Sequence, residues 1–243
     1  MEKVLYEELR PSEFLSRLSE APIAYLPLGT LEWHGPHLPL GSDGLQSQAL
    51  FCEVARRVGG IVMPMLFLGP DRTRRYKGKT FYGMDFWSRP NEEEPRQLPG
   101  SAYYVSNYFY SKLLDTVMAQ LARAGFRIVV GHGHGPANRA FRKQIPIIKE
   151  KYGLILVNAD FEQAEYGFQS DHAAANETSI MMHYYPQLVD LSALPQEPNV
   201  RIEGVNGDDP RIHASPAMGK AAADETAALL EDTLLALLHN LTI

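Results

Sequence analysis

The chain alternates short apolar runs with longer stretches in which apolar and polar residues recur at helical spacing. Short apolar runs are typical of buried strands, and apolar residues three and four apart are typical of amphipathic helices. We predict strands at 23–28, 61–68, 127–130 and 154–158. We predict helices at 11–21, about 45–57, 104–124, 137–151, from 176 to before 186, and about 217–238. This order predicts an α/β protein with a mostly parallel central sheet.

The segment 69–100 breaks this alternation. It is rich in arginine, lysine, glycine, proline and aromatic residues. Loops of this length inside a domain are usually functional lids or disordered, and aromatic residues are scarce in disordered segments. We therefore predict an ordered excursion that covers a site or a neighbouring subunit. Its basic residues could meet an anionic substrate group, and the alternative is a solvated basic loop balanced by the acidic run at 92–94.

Composition and charge narrow the class of protein. The 243 residues are 45% hydrophobic, which suits a single domain over residues 1–243 with a full core. The net charge of -6 argues against a nucleic-acid or membrane partner, because both need a basic face. The single cysteine excludes an internal disulfide. The charged N-terminus lacks the apolar region of a signal peptide, so we expect a cytoplasmic protein.

The first candidate site is the sequence GTLEWHGPHLPLGSD at 29–43, directly after a predicted strand. Carboxylates and imidazoles are ligands that zinc, manganese and iron prefer, and open α/β sheets bind ligands at the carboxyl ends of their strands. Glu32 and His34 are two residues apart, so in extended backbone their side chains leave from the same side. Spacing alone leaves two interpretations open: a metal site, or polar loop residues with Asp43 capping the next helix.

The second candidate site is the turn GHGHGP at 131–136, which follows another predicted strand. Its two histidines, His132 and His134, have a spacing that suits metal ligation. Phosphate binding is the competing interpretation, but the segment has neither a Walker lysine nor the G-x-G-x-x-G pattern.

The third candidate site is the sequence SDHAAANETS at 170–179. On one continuous helix, His172 and Glu177 would point in different directions. If both serve one site, His172 must precede the helix and Glu177 must lie in its first turn. The alternative for Glu177 is a structural role, because a negative charge is favourable at a helix N-terminus.

These three segments, in this order, resemble the creatininase (creatinine amidohydrolase) family of metal-dependent hydrolases. Residues 32–43 are similar to the family signature E-x-H-G-P-H-L-P-L-G-[TS]-D, and 133–135 resemble its N-G-H-G-G-N turn. Residues 172–179 resemble its H-A-G-E-x-E-T-S segment. Residues 98–101 resemble its F-P-G-T, which makes 69–97 an extended version of the loop before that motif.

The resemblance implies a three-layer α/β/α subunit, two divalent metal ions (zinc, manganese or iron) and a homo-oligomer, usually a hexamer. It also assigns roles by position. The implied metal ligands are Glu32, His34, Asp43, His134 and Glu177, with Asp43 in the bridging place. His172 and Glu177 fall in the catalytic segment, and His37 is expected behind the ligands.

Three departures from the family pattern concern the substrate side. His132 stands where the family has Asn, which leaves open whether it or His134 is the ligand. Pro136 stands where creatininase proper has a Glu that binds metal, and Ala175 replaces the first acidic residue of H-A-G-E. We therefore expect the metal ligands to be kept and the substrate to differ from creatinine.

Three hypotheses for function follow. The leading one is hydrolysis of a small cyclic or formylated amide by water activated between two metal ions. The second keeps the metals but opens an oxidised carbocycle or keto-sugar of the keto-inositol type, with Arg72, Tyr82 and Trp87 supplying hydrogen bonds and stacking. The third is a metal-binding structural subunit without turnover, which the Pro136 replacement favours.

Overall fold

The computed structural model describes residues 2–87, 94–197 and 200–241. The strands are β1 (Ile23–Leu28), β2 (Ile61–Val62), β3 (Thr73–Tyr76), β4 (Lys79–Tyr82), β5 (Ile128–Gly133) and β6 (Ile155–Asn158). The helices are α1 (Pro11–Glu20), α2 (Ser42–Val58), α3 (Met84–Trp87), α4 (Asn107–Ala124), α5 (Gly135–Tyr152), α6 (Ala175–Tyr184), α7 (Pro210–His213) and α8 (Pro216–Leu241).

The central sheet has the order β2-β1-β5-β6, and all of its pairings are parallel. β1 begins and ends where the apolar run predicts, and each of its six residues is buried. The predicted strand at 61–68 is wrong in length, since β2 ends at Val62. Pro64 interrupts the ladder because it lacks an N–H, and backbone hydrogen bonds to the β1 segment resume at Leu66.

Helices cover both faces of the sheet, which confirms the predicted three-layer α/β/α fold. One core cluster joins the sheet to α2, α6 and α8, through residues such as Phe51, Ile180 and Leu230. The other joins it to α4 and α5, through residues such as Leu114 and Phe141. Buried apolar side chains on both faces are what a parallel sheet requires.

The predicted helix bounds are shifted at the N-termini by local capping. α4 begins at Asn107 rather than 104, because the Ser106 side chain accepts the Phe109 N–H at 3.2 Å. α5 begins earlier than predicted and has Pro136 in its first turn, where a missing N–H costs nothing. No described helix is long and apolar enough to cross a membrane.

The excursion 69–100 is ordered over its described part, as predicted. β3 and β4 form an antiparallel hairpin, and α3 follows directly. The carboxylate of Asp85 accepts the N–H of Tyr82 at 3.1 Å and of Leu98 at 2.8 Å, which ties the middle of this segment to its C-terminal end. Of the predicted acidic run, Glu92 and Glu93 lie outside the described residues, and Glu94 pairs with Lys77.

Candidate metal centre

The first two candidate segments meet because β1 and β5 are neighbours in register. Leu28 is paired with Gly133, so both strands end at the same level of the sheet. The His134 N–H then donates to the Leu28 carbonyl at 2.7 Å. Gly133 has a φ of 146°, and a Cβ there would overlap the Leu28 carbonyl, so only glycine fits. The glycine-rich turn therefore allows the ends of β1 and β5 to lie close together.

The third segment reaches the same place from α6. Glu177 is the third residue of this helix and His172 precedes it, as the directional argument predicts. Asp171 fixes the start of the helix, because its carboxylate accepts the N–H groups of Asn176 at 2.7 Å and Glu177 at 3.1 Å. Asp43 lies in the first turn of α2, where its side chain forms no cap.

Two groups of three possible ligands share Asp43. The first is Glu32, Asp43 and His134, and the second is His34, Asp43 and Glu177. Within each group the ligand atoms lie within 4.8 Å of one another. A third such group contains Glu32, His34 and His172.

The two oxygens of Asp43 face different histidines. Oδ2 lies 3.0 Å from Nδ1 of His134, and Oδ1 lies 3.3 Å from Nε2 of His34. Nδ1 of His134 is also 3.3 Å from Oε2 of Glu32, and Nε2 of His34 is 3.6 Å from Oε2 of Glu177. This is the arrangement of a carboxylate able to bridge two ions.

All five of these side chains are buried, none more than 4% exposed. Burial raises the pKa of Glu32 to about 8 and raises that of Glu177 well above its usual range. Burial opposes the charge on Asp43 too, yet His34 and His134 hold its pKa well below the usual range.

The histidines show the opposite balance. Burial disfavours their charge, but Asp43, Glu177 and Glu32 together raise the pKa of His34 to about 10. Glu32, Asp43 and Asp71 likewise raise the pKa of His134 well above its usual range. Several carboxylates packed together without water need positive charge beside them. Protons on the imidazoles supply it here, and a divalent cation suits the same oxygen and nitrogen donors.

His172 lies beside these ligands and lines the cavity in front of them. Its ring is 4.4 Å from the His34 ring. Its Nε2–H donates to the Trp33 carbonyl at 3.0 Å, which leaves Nδ1 as the acceptor. Burial, together with the charge of His34, lowers the pKa of His172 to about 3, so the ring is neutral.

The remaining two histidines of the motifs play different parts. Nε2 of His37 lies 2.9 Å from Oγ1 of Thr178, and His37 does not line the cavity. His132 lines the cavity, and its Nδ1 lies 3.1 Å from Oγ of Ser47, away from Asp43. Burial lowers the pKa of both rings to about 4. His134, not His132, is therefore the histidine grouped with the carboxylates.

The excursion contributes to the cavity, which has a volume of about 500 Å³. Arg72 and Trp87 line it, as predicted, and the Arg72 guanidinium carbon lies 4.0 Å from the Trp87 ring centroid. Tyr82 does not line it. Its ring stacks on Tyr104 at 4.9 Å and borders a separate cavity.

Four charged residues of the cavity are absent from the sequence predictions, namely Asp71, Arg139, Arg142 and Asp160. Asp71 is one: its Oδ1 lies 3.8 Å from Nε2 of His134, and its carboxylate packs with Glu32 against Gly83. Asp71 follows Gly69-Pro70 at the end of an apolar run, so the strand-end rule could have identified it. Arg139, in the first turns of α5, is another, and the sequence carries no comparable signal for it.

Comparison with known proteins agrees with this geometry. The Creatininase family model, described as creatinine amidohydrolase, matches residues 7–241. The chain is 26% identical to the creatinine amidohydrolase of Pseudomonas putida, over 93% of this chain and 88% of that protein. It is 24% identical to the mycofactocin precursor peptide peptidase of Mycolicibacterium smegmatis (strain ATCC 700084 / mc(2)155), over 69% of this chain and 60% of that protein.

Solved structures show the same fold. A mutant creatininase complexed with creatine superposes with a TM-score of 0.73 at 22% identity, covering 96% of this chain and 98% of that one. A creatininase mutant of the Zn-Zn type gives the same values. A structure named creatininase Mn gives a TM-score of 0.71 at 21% identity, with the same coverage.

The match over nearly the whole length, the shared fold and the buried ligand set at the strand ends lead to one conclusion. This chain belongs to the creatininase family and is a hydrolase of the amidohydrolase type.

Proposed function

We propose that this hydrolase uses two divalent metal ions to cleave the C–N bond of a small cyclic or formylated amide. The observation that carries the proposal is the pair of three-residue ligand groups sharing Asp43. Glu32, Asp43 and His134 would hold one ion, and His34, Asp43 and Glu177 the other. Ions bound there would supply an activated water and polarise the substrate carbonyl. Relatives of the Zn-Zn type and with Mn favour zinc or manganese, and iron also suits these donors.

His172 is the residue that we propose moves the proton. The Trp33 carbonyl fixes its Nε2–H, so Nδ1 carries the free lone pair, and the ring borders the cavity. In the hydrolysis, the water oxygen bonds to the carbonyl carbon as the C–N bond breaks. Nδ1 takes a proton from the water and returns it to the departing nitrogen, a role typically worth 10²–10⁴-fold in rate. Glu177 shares this segment, and its Oε2 accepts the Ala173 N–H at 2.7 Å, which orients the carboxylate.

The names of the relatives support an amide substrate. One is a creatinine amidohydrolase, another is a peptide peptidase, and a structural neighbour is complexed with creatine. Pro136 and Ala175, which replace the family's glutamates, favour an amide other than creatinine.

A polyol-like ketone is the second candidate substrate, and the cavity wall favours it. Beyond the ligands, most residues of the wall are polar, and the apolar ones are Met84, Trp87, Pro136 and Phe168. Its polar members are Arg72, Asn138, Arg139, Arg142, Asp160, Gln169, Ser170, Asp171 and Asn206. Such a wall suits a keto-inositol or keto-sugar, and the same metal site would then open a C–C bond next to the ketone.

A non-catalytic metal-binding subunit has less support. The family relationship and the complete set of buried ligands both point to turnover. Homo-oligomeric assembly, a cytoplasmic location and a single domain stay predictions.

The test combines metal analysis with a substrate panel. We expect purified protein to retain zinc or manganese after dialysis and to hydrolyse members of a panel of lactams and N-formyl amides, with keto-inositols and keto-sugars screened beside them. Asp43→Asn and His34→Gln preserve side-chain volume, and both should lose metal and activity while keeping the circular dichroism spectrum. His213→Gln, at an exposed histidine, is the control. Retention of metal and activity in both site variants would refute the proposal.

A further inference from the structure

Two arginines reach the mouth of the metal cavity from different elements. Arg72 comes from the excursion, and Arg139 comes from α5. We propose that they form an anion-binding subsite, and that the substrate carries a carboxylate or phosphate group away from the bond that is cleaved. This inference rests on the proposed function and adds the class of substrate.

Arg72 is held at the mouth of the cavity by its neighbours. Its backbone N–H donates to Oδ1 of Asp71 at 2.6 Å, and its guanidinium lies over the Trp87 ring. Stacking occupies the face of the guanidinium and leaves its N–H groups, which lie in the plane, available to a ligand.

Arg139 approaches the same space from the other side. Its Nη1 lies 3.6 Å from the place where Gly135 would carry a Cβ, so the side chain folds back over the start of α5 towards His134. Partial burial lowers the pKa of Arg139, and the charge of Arg72 acts in the same direction. Neither arginine forms an ion pair with any part of the chain that the structure describes. The charge of Asp71 partly offsets that of Arg139, but its carboxylate forms no direct ion pair with either guanidinium, so the forked N–H groups of both arginines are left for a ligand.

Arg142 provides the contrast. It lies about one turn further along α5 and also lines the cavity, but its Nη1 pairs with Oδ2 of Asp160 at 2.8 Å. Its charge is already neutralised by the protein. If these arginines only reflected a surface rich in arginine, we would not expect Arg142 to be paired with a carboxylate and Arg139 to be unpaired.

The carboxylates of the ligand cluster would not neutralise Arg72 and Arg139 once two metal ions are bound. Four carboxylates face the ligand cluster, namely Glu32, Asp43, Asp71 and Glu177. Two divalent cations would balance these four negative charges. The positive charge of Arg72 and Arg139 would then be available to bind an anionic substrate group. A pair of guanidinium groups offers the forked N–H donors that carboxylate and phosphate oxygens accept.

The experiment uses the metal-loaded enzyme and three matched N-formyl amides. N-formylglycine carries a carboxylate, N-formylglycinamide is its neutral counterpart, and N-formyl-phosphoethanolamine carries a phosphate. We expect kcat/KM for one anionic substrate to exceed that of the neutral amide by about ten- to a hundredfold, mainly through KM. Arg72→Gln and Arg139→Gln should each remove most of this preference, and Arg142→Gln should keep it. The anion whose preference depends on the arginines identifies the group.

A binding measurement separates this inference from the proposed function. Succinate and inorganic phosphate are titrated calorimetrically into zinc-loaded wild type and into the Arg72→Gln/Arg139→Gln double variant. If no amide is hydrolysed but the double variant binds either anion at least about tenfold more weakly, the subsite stands and the amide proposal fails. If the double variant keeps both the anion affinity and the substrate preference, the subsite is refuted.

Discussion

The floor and the rim of the cavity are built in opposite ways. The floor holds Glu32, His34, Asp43, His134 and Glu177, which are buried and come from strand ends and first turns of helices. The rim holds Arg72 and Trp87 from the excursion and Arg139 from α5, and all three side chains are exposed. The sheet fixes the positions of the floor residues, whereas two of the three rim residues are positioned by the excursion.

This difference separates two tasks. The floor fixes the donors that a metal needs, and its geometry follows from the pairing of β1 with β5. The rim can change in charge and shape without disturbing that pairing. We infer that the floor sets the type of reaction and the rim selects the substrate. The following predictions test where the boundary between them lies.

The largest expected effect comes from His172, which stands beside the floor without being assigned as a ligand. His172→Gln should lower kcat by about 10²–10⁴-fold, because the proton acceptor is lost, while metal content stays unchanged. Steady-state kinetics and metal analysis of the same preparation measure both. Loss of metal together with activity would move His172 into the ligand set, as its grouping with Glu32 and His34 allows.

The pH dependence of metal affinity tests the floor itself. In the metal-free protein His34 has a pKa of about 10 and Glu32 of about 8, so both carry protons at pH 7. A metal ion must displace these protons, so affinity rises with pH, by about tenfold per pH unit for each proton released. These two protons alone give about a hundredfold rise from pH 6 to pH 7. The raised pKa values of His134 and Glu177 make the dependence steeper.

Competition with a chelator at pH 6, 7 and 8 measures this slope. Calorimetry in two buffers of different ionisation enthalpy counts the protons. A flat profile would show that the floor is already deprotonated and that the crowded carboxylates do not retain protons.

A smaller effect is expected at Asp71, the residue of the excursion that reaches the floor. Asp71→Asn should weaken metal binding by about 10–100-fold, because Asp71 faces Nε2 of His134 and helps to orient the ring. Asp160→Asn removes the same charge from the cavity wall, where the carboxylate pairs with Arg142, and should leave metal affinity nearly unchanged. If Asp71→Asn and Asp160→Asn bound metal with equal affinity, the excursion would have no influence on metal binding.

The sequence predicts the floor better than the rim for a physical reason. Ligand types next to strand ends are local patterns, so the positions of His134 and Glu177 could be predicted before the fold was known. Arg139 is visible only when α5 is placed against the excursion. Tyr82 was predicted at the cavity, and its place beside Tyr104 depends on how the hairpin packs.

The sequence patterns also predict the wrong lengths for two strands, β2 and β5. The apolar run at 61–68 predicts a long strand, but Pro64 interrupts the ladder and leaves a two-residue strand with an isolated bridge at Leu66. β5 runs three residues beyond its predicted end, to Gly133, because pairing with β1 continues through the glycine-rich turn. Partner strands decide such bounds, and one segment alone does not reveal them.

Gly83 packs the excursion directly against carboxylates of the metal centre. It has a φ of 43°, and a Cβ there would overlap both Asp71 and Glu32, so this backbone rests directly on the two carboxylates. Any metal that draws Glu32 towards itself changes what Gly83 packs against. By thermodynamic reciprocity, any free energy that a bound metal contributes to the packing of this segment is contributed equally by that packing to the affinity for the metal. The stability of the excursion and the retention of a metal are then coupled.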